Sequence, residues 1–273
     1  MKIGIIGQGF VGNAIYQKFK QYFNINTYDL DKSKSNSSEE VTMSQDVVFV
    51  CLPTPMDEVG RCDTSLVEST IKKISLIGKC KTVVIKSTVS PGTSSRLNGI
   101  FNNIDIVFNP EFLTERNAVT DYENQNRIIL GGPRPSTTKL KRIFSKVFPS
   151  AHIIKTDSTH AEMVKYLTNT FLSVKVSFAN EIYQLCEKLN IDYDKVVEYA
   201  THDARLGDSH WNVPGHDGDF GFGGHCFPKD LSAVIHLTRE LNTINNVLFA
   251  TQKTNDKVRQ DRDWEGMKGR AVT

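Results

Sequence analysis

The chain has 273 residues, with 33 Lys and Arg against 31 Asp and Glu and a formal net charge of +2. That length buries one large core or two modest ones, and the near balance of charge argues against nucleic acid or an anionic membrane as partner. Five cysteines without CxxC spacing argue against a disulfide framework or a metal site. With no signal-peptide stretch and no apolar run of membrane-spanning length, a reducing, cytoplasmic setting is expected.

In chain order, Lys2 to Ile6 reads as a buried strand. Gly7-Gln8-Gly9-Phe10-Val11-Gly12 then opens a helical pattern through Val11, Ala14, Ile15 and Phe19. Between a strand and a helix, these glycines permit a tight turn and close approach of a pyrophosphate, which would sit on the helix N-terminus. A second strand, Asn24 to Tyr28, ends at Asp29, placed to bind a ribose and to repel the extra phosphate of NADP, so NAD is the expected cofactor. Ser33 to Glu40 reads as a polar loop. Asp46 to Leu52 is a strand running into Pro53-Thr54-Pro55, and Val67 to Ile77 has helical spacing. Strands at Thr82 to Ile85, Ile104 to Phe108 and Arg127 to Leu130 follow, then a helix from Thr138 to Val147. Alternating strands and helices predict a parallel, doubly wound sheet with its ligand at the carboxyl ends of the strands. Thr54, Thr88 and Glu111 each follow such an end, and so converge on one cleft.

From Asp157 onward the pattern is helical only. Thr159-His160-Ala161-Glu162 has capping-box spacing, and apolar residues recur at helical intervals through Leu189, a length suited to a domain spine or a dimer seam. Lys165 and Asn169, four apart, share one face of it, although that spacing alone fits a solvated surface pair better. Helices are expected over Asp194 to Ala200, Leu231 to Leu241 and Val247 to Val258. The loop Arg205 to Gly224 lacks periodicity and reads as a substrate lid. Its histidines lack ligand spacing, and no metal is expected. The fold class is therefore α/β, a Rossmann-like doubly wound parallel sheet over residues 1–155 followed by an all-helical domain on one long helix over 156–262, with a tail at 263–273.

Gly221-Phe222-Gly223-Gly224-His225-Cys226-Phe227-Pro228-Lys229-Asp230 holds the candidate chemistry. Pro228 suits a first helical turn, so Cys226 lies at a helix mouth, where the dipole favours a thiolate; Asp230 falls in the same turn. Taken alone, the stretch fits a small buried cysteine equally well.

Together these motifs resemble the nucleotide-sugar 6-dehydrogenases, the UDP-glucose/GDP-mannose dehydrogenase family. The resemblance is carried by Gly7–Gly12, Ser87-Thr88-Val89, Pro110-Glu111-Phe112-Leu113 with Glu115, Lys165 with Asn169, and the Gly223–Asp230 run. It implies an NAD-dependent, four-electron oxidation of a sugar C6 alcohol to a carboxylate, UDP-glucose being the leading substrate and UDP-N-acetyl sugars or GDP-mannose the alternatives. In the implied chemistry Cys226 traps the aldehyde and then carries a thioester, Lys165 and Asn169 hold the oxyanion, Asp230 and Thr88 hold the hydrolytic water, and Glu111 is the acid/base. Gly7, Gly9, Phe10, Val11, Gly12, Asp29, Lys34, Thr54, Thr88 and Glu115 match cofactor positions. Glu111, Phe112, Leu113, Lys165, Asn169 and Gly223 match substrate positions, and Arg205 matches an arginine that reaches into the neighbouring subunit, implying a homodimer through the long helix. Residues around Pro214 to Asp219 look inserted relative to the family. The family carries a third domain for the nucleotide, and this sequence stops at what resembles the lead-in to it, so that a separate chain supplying that domain is one reading. The rivals are a catalytically impaired NAD-binding oligomer and a two-electron hydroxyacid dehydrogenase that needs no reactive cysteine.

Overall fold

A computed structural model describes residues 1–273 as two compact units, residues 1–54 with 63–165 and residues 55–62 with 166–273. The first holds a seven-stranded sheet of β1 (Lys2–Ile6), β2 (Asn24–Tyr28), β3 (Val47–Val50), β4 (Thr82–Ile85), β5 (Asp105–Phe108), β6 (Arg127–Gly131) and β7 (His152–Thr156), in the order β2-β1-β3-β4-β5-β6-β7. Strand β3, Val-Val-Phe-Val, is buried at every position, as expected of a strand covered on both faces. Its alternate side chains feed two cores. Val47 and Phe49 join Phe19, Tyr122 and Phe144 on one face; Val48 and Val50 join Ile71, Ile74 and Leu97 on the other. Helices α1 (Phe10–Phe19), α2 (Glu39–Met43), α3 (Ser65–Ile77), α4 (Thr93–Ile100), α5 (Ala118–Glu123) and α6 (Arg134–Val147) complete the unit.

Strands β1 to β5 are parallel, as the alternation predicts, but β6 pairs antiparallel with β5 through Phe108↔Gly131, and β7 runs parallel to β6. The physical reason is the connector: the short α5 does not cross over to return the chain in the original direction. The stretch read as a polar loop takes in the end of a 3-10 turn (Lys32–Lys34) and the beginning of α2, started by Ser38, whose hydroxyl accepts from the Val41 N–H. The proposed capping box is not made. Asp157 Oδ1 accepts the His160 N–H at 3.0 Å, and the Glu162 carboxylate instead accepts the N–H groups of Gly92 and Ser94 at the start of α4.

The second unit is helical. Helix α7 (Ser158–Leu189) enters it, followed by α8 (Tyr193–Thr201), α9 (Phe227–Glu240) and α10 (Asn246–Val258). The loop between α8 and α9 has no helix or strand but is tied down: Gly221 N–H donates to Asn180 Oδ1 at 3.1 Å and Phe222 N–H to Asn255 Oδ1 at 2.7 Å. No helix is long and apolar enough to cross a membrane.

Candidate functional site

In the first unit the strand order reverses beside β1, where β2 lies on one side and β3 on the other; open sheets bind their ligand at such a point. The three fingerprint glycines have different reasons to be there. Gly7 has φ +89°, and a Cβ on it would stand 2.3 Å from the Cys51 carbonyl. A Cβ on Gly12 would stand 1.9 Å from the Gly7 carbonyl, so α1 can close on the turn only without one. A Cβ on Gly9 would meet no other part of the chain within 4 Å: that side of the backbone faces open space, and Gly9 begins α1 without a side-chain cap. An open helix N-terminus over a glycine turn has the space and the free N–H groups that a diphosphate needs. Asp29 closes its far end, one carboxylate oxygen accepting the Gln8 N–H at 2.6 Å and the other the Asp31 N–H at 2.9 Å. Thr54 Oγ1 donates to the Thr88 carbonyl at 2.7 Å, joining the ends of β3 and β4. Lys34 is exposed and pairs with Asp31 at 3.4 Å, and Glu115 is exposed.

Beyond β5 lies a buried charge cluster. Lys165 Nζ donates to both the Glu111 carboxylate and the Glu111 carbonyl at 2.8 Å, and the Leu113 N–H donates to the other carboxylate oxygen at 2.7 Å. Burial alone would raise the Glu111 carboxyl; Lys165, the Leu113 N–H and Lys86 outweigh it and hold the group below its ordinary range, ionised. Lys165 is not the solvated surface residue that spacing alone favours: its side chain is 4 % exposed. The Phe112 ring lies 4.1 Å from the Arg127 guanidinium and 5.7 Å from Lys165 Nζ. A second buried cation received no role in the sequence analysis. Lys86 Nζ donates to Asn109 Oδ1 at 2.9 Å and to the Pro110 carbonyl at 3.3 Å, and burial pulls its ammonium down to about 8 against the opposing pull of Cys51 and Glu111.

In the second unit, Cys226 is the N-cap residue of α9, half-buried, with Pro228 in the first turn. Asp230, 1 % exposed, accepts Asn169 Nδ2 at 2.6 Å on one oxygen and Lys229 Nζ at 2.5 Å on the other. Asn169 is therefore also buried rather than solvated. Burial opposes the charge on Lys229, but Asp230, with Cys62 and Cys226, prevails and raises the ammonium above its ordinary value. The sulfur of Cys226 thus lies within electrostatic reach of a cation as well as at a helix mouth. Sequence reasoning quoted Lys229 without giving it this part; adjacency to Asp230 was the available signal. Arg205 is exposed and paired with Asp203. Gly223 packs against Arg259 and Asp263, where a Cβ would stand 2.4 Å from either.

Residues 24–149 match the NAD-binding domain of the UDP-glucose/GDP-mannose dehydrogenase family, and residues 159–257 match its central domain. The chain belongs to this family. It is 29% identical to the UDP-glucose 6-dehydrogenase TuaD of Bacillus subtilis over 94% of its own length and 63% of TuaD. It is 33% identical to a UDP-glucose 6-dehydrogenase of Rickettsia bellii over 79% of its length and 50% of that protein. Against the structure of a UDP-glucose dehydrogenase from Pyrobaculum islandicum the TM-score is 0.85 at 26% identity, covering 94% of this chain and 68% of that one. The chain thus spans between half and two thirds of the length of these two sequence relatives. Its cofactor is NAD, as the matched NAD-binding domain indicates.

Proposed function

We propose that the protein is an NAD-dependent nucleotide-sugar 6-dehydrogenase that oxidises UDP-glucose to UDP-glucuronate in two two-electron steps. The observation that carries the reading is Cys226 at the mouth of α9, with Lys229 raised by its neighbours and Asp230 held by Asn169. NAD, when bound, accepts a hydride in each step, so two NAD are consumed in turn. The cradle at Gly7, Gly9, Phe10, Val11 and Gly12 holds the diphosphate and Asp29 the ribose.

The ionised Glu111 takes the proton released as the C6 alcohol becomes an aldehyde. The Cys226 thiolate adds to that carbonyl carbon, giving a thiohemiacetal whose oxygen carries the charge; Lys165 and Asn169 stabilise it. Loss of the second hydride leaves a thioester. Water, held by Asp230 and Thr88, attacks the thioester carbon, the C–S bond breaks, and carboxylate and thiol are released. The chain acts as a homodimer: Leu167, Phe171, Phe178, Leu185 and Leu189 form an exposed apolar stripe along one face of α7, suited to a second copy of the same helix. Arg205 reaches the partner's substrate from its exposed loop.

The test is mass determination of a Cys226 adduct. Protein quenched during turnover with UDP-glucose, UDP-N-acetylglucosamine or GDP-mannose should carry a nucleotide-sugar thioester on the Cys226 peptide with one of the three. Turnover without any such adduct, undiminished in Cys226→Ser, overturns the thioester route.

A further inference from the structure

Arg259 stands just beyond the C-terminal end of α10, with 3 % of its side chain exposed and three carboxylates around it. Asp217 lies 2.7 Å away, Asp219 3.4 Å and Asp263 3.5 Å, and Nε donates to the Asp261 carbonyl at 2.7 Å. None of these groups has a part in the chemistry above. A buried guanidinium serving three carboxylates from two stretches of chain is a junction, and the planar fork of arginine suits it where a lysine would not.

Each arm of the junction leads somewhere definite. Asp217 and Asp219 belong to the stretch around Pro214 to Asp219 that looks inserted relative to the family. Asp219 is fixed there, since its carbonyl accepts the Gly215 N–H at 2.8 Å and its carboxylate the Gln260 and Asp261 N–H groups at 3.2 and 2.8 Å. Asp263 leads toward the cysteine: both its oxygens accept the Gly224 N–H at 3.1 Å, two residues before the sulfur. Gly224 has φ +72°, and a Cβ on Gly223 would collide with Arg259 Nη2 and Asp263 Oδ1, each 2.4 Å away. The Arg259–Asp263 pair is thus the surface on which the backbone entering Cys226 rests.

We infer that Arg259 is a positioning residue for Cys226: through Asp263 it fixes the Gly223–Gly224 backbone, and the Asp217–Asp219 stretch clasps it from the far side. The inference rests on the reading of Cys226 as nucleophile and adds the part of this chain that sets its place at the helix mouth. A thiol loosened from that mouth loses dipole stabilisation of its thiolate.

The experiment uses the full chain and the variants Arg259→Met, Arg259→Lys, Asp263→Asn and Asp217→Asn. Iodoacetamide labelling of the Cys226 peptide is followed by mass against pH, beside kcat and KM for NAD and UDP-glucose. Arg259→Met should raise the pH midpoint of labelling and lower kcat about 10- to 100-fold, the scale set by a displaced reacting group, with KM for NAD unchanged. Arg259→Lys should recover part of both, and Asp217→Asn should change little. Should Arg259→Met lose its cooperative melting transition, Asp263→Asn, which leaves Arg259 paired with Asp217 and Asp219, must show the same upward midpoint. Parent-like midpoint and kcat in Arg259→Met, or parent-like values in a folded Asp263→Asn, overturn the inference. Labelling that leaves NADH formation by the parent intact sinks the nucleophile instead, and does not touch the labelling comparison.

Discussion

Removing Lys165 isolates a buried carboxylate, and the consequence can be worked out from the contacts. The Glu111 and Lys165 side chains are 7 % and 4 % exposed, and the ammonium makes two 2.8 Å bonds to Glu111. Stripping one partner from such a pair costs about 3–5 kcal/mol, because the remaining charge stays buried without compensation. The retained Leu113 N–H and nearby Lys86 place Lys165→Met near the lower end, about 3 kcal/mol. Adding Glu111→Gln removes the orphaned charge, so the double variant should recover about 2 kcal/mol of that loss, a coupling typical of groups in contact. The assay is urea unfolding at pH 7 and fixed protein concentration. A pH arm checks the cause. In the parent, Glu111 is held below its ordinary range, so its contribution is complete above about pH 4.3, the unfolded carboxyl value, and fades as pH falls through the lower folded value. In Lys165→Met burial prevails and the folded carboxyl titrates above its ordinary value, so the deficit should shrink as pH falls from 7 toward 5. A single variant within about 1 kcal/mol of the parent, far below the cost of an orphaned buried charge, or a double variant no better than the single, refutes the reasoning.

The fingerprint glycines should separate in effect. Gly12→Ala, with its methyl 1.9 Å from the Gly7 carbonyl, should cost about 1–3 kcal/mol by overpacking, while Gly9→Ala, entering open space at φ −66°, should spare stability and lose most of the rise in Tm that NAD gives the parent. Lys86 is pulled from 10.5 to about 8, so the unfolded chain holds a proton that the folded one has lost between those values. Stability of the parent relative to Lys86→Met should therefore rise by up to about 3 kcal/mol as pH climbs from 8 to 10.5; a flat difference in urea unfolding would argue against a buried, depressed ammonium. Phe171→Glu, in the middle of the exposed stripe of α7, should convert a dimer to monomers in sedimentation equilibrium, and an unchanged mass would remove α7 as the seam.

What the sequence disclosed was whatever depends on neighbours in the chain. The Gly7–Gly12 turn, the buried β3 and the helix mouth at Cys226 are each set within about ten residues, and each lies where local pattern puts it. Features set by distant partners were not legible. Lys165 and Asn169 look like a surface pair because nothing nearby in sequence marks Glu111, 54 residues away, or Asp230, 61 away, as their partners. Helix α4 has little apolar periodicity and takes its start from the carboxylate of Glu162, and β7, an edge strand with no fully buried position, lacks the apolar run of β3. The reversal at β6 was hidden for a related reason: the direction of a strand is decided by its connector, not by its own residues.

The central claim is that one chain carries an alcohol through two successive oxidations, with its own cysteine holding the intermediate. The most direct measurement is the count of NADH formed per uronic acid released when purified protein is given NAD and UDP-glucose. The account predicts two for the parent, and for Cys226→Ser a first oxidation that survives in part while acid formation stops. One NADH per UDP-glucose consumed, with aldehyde as the final product and no uronic acid released, would contradict it.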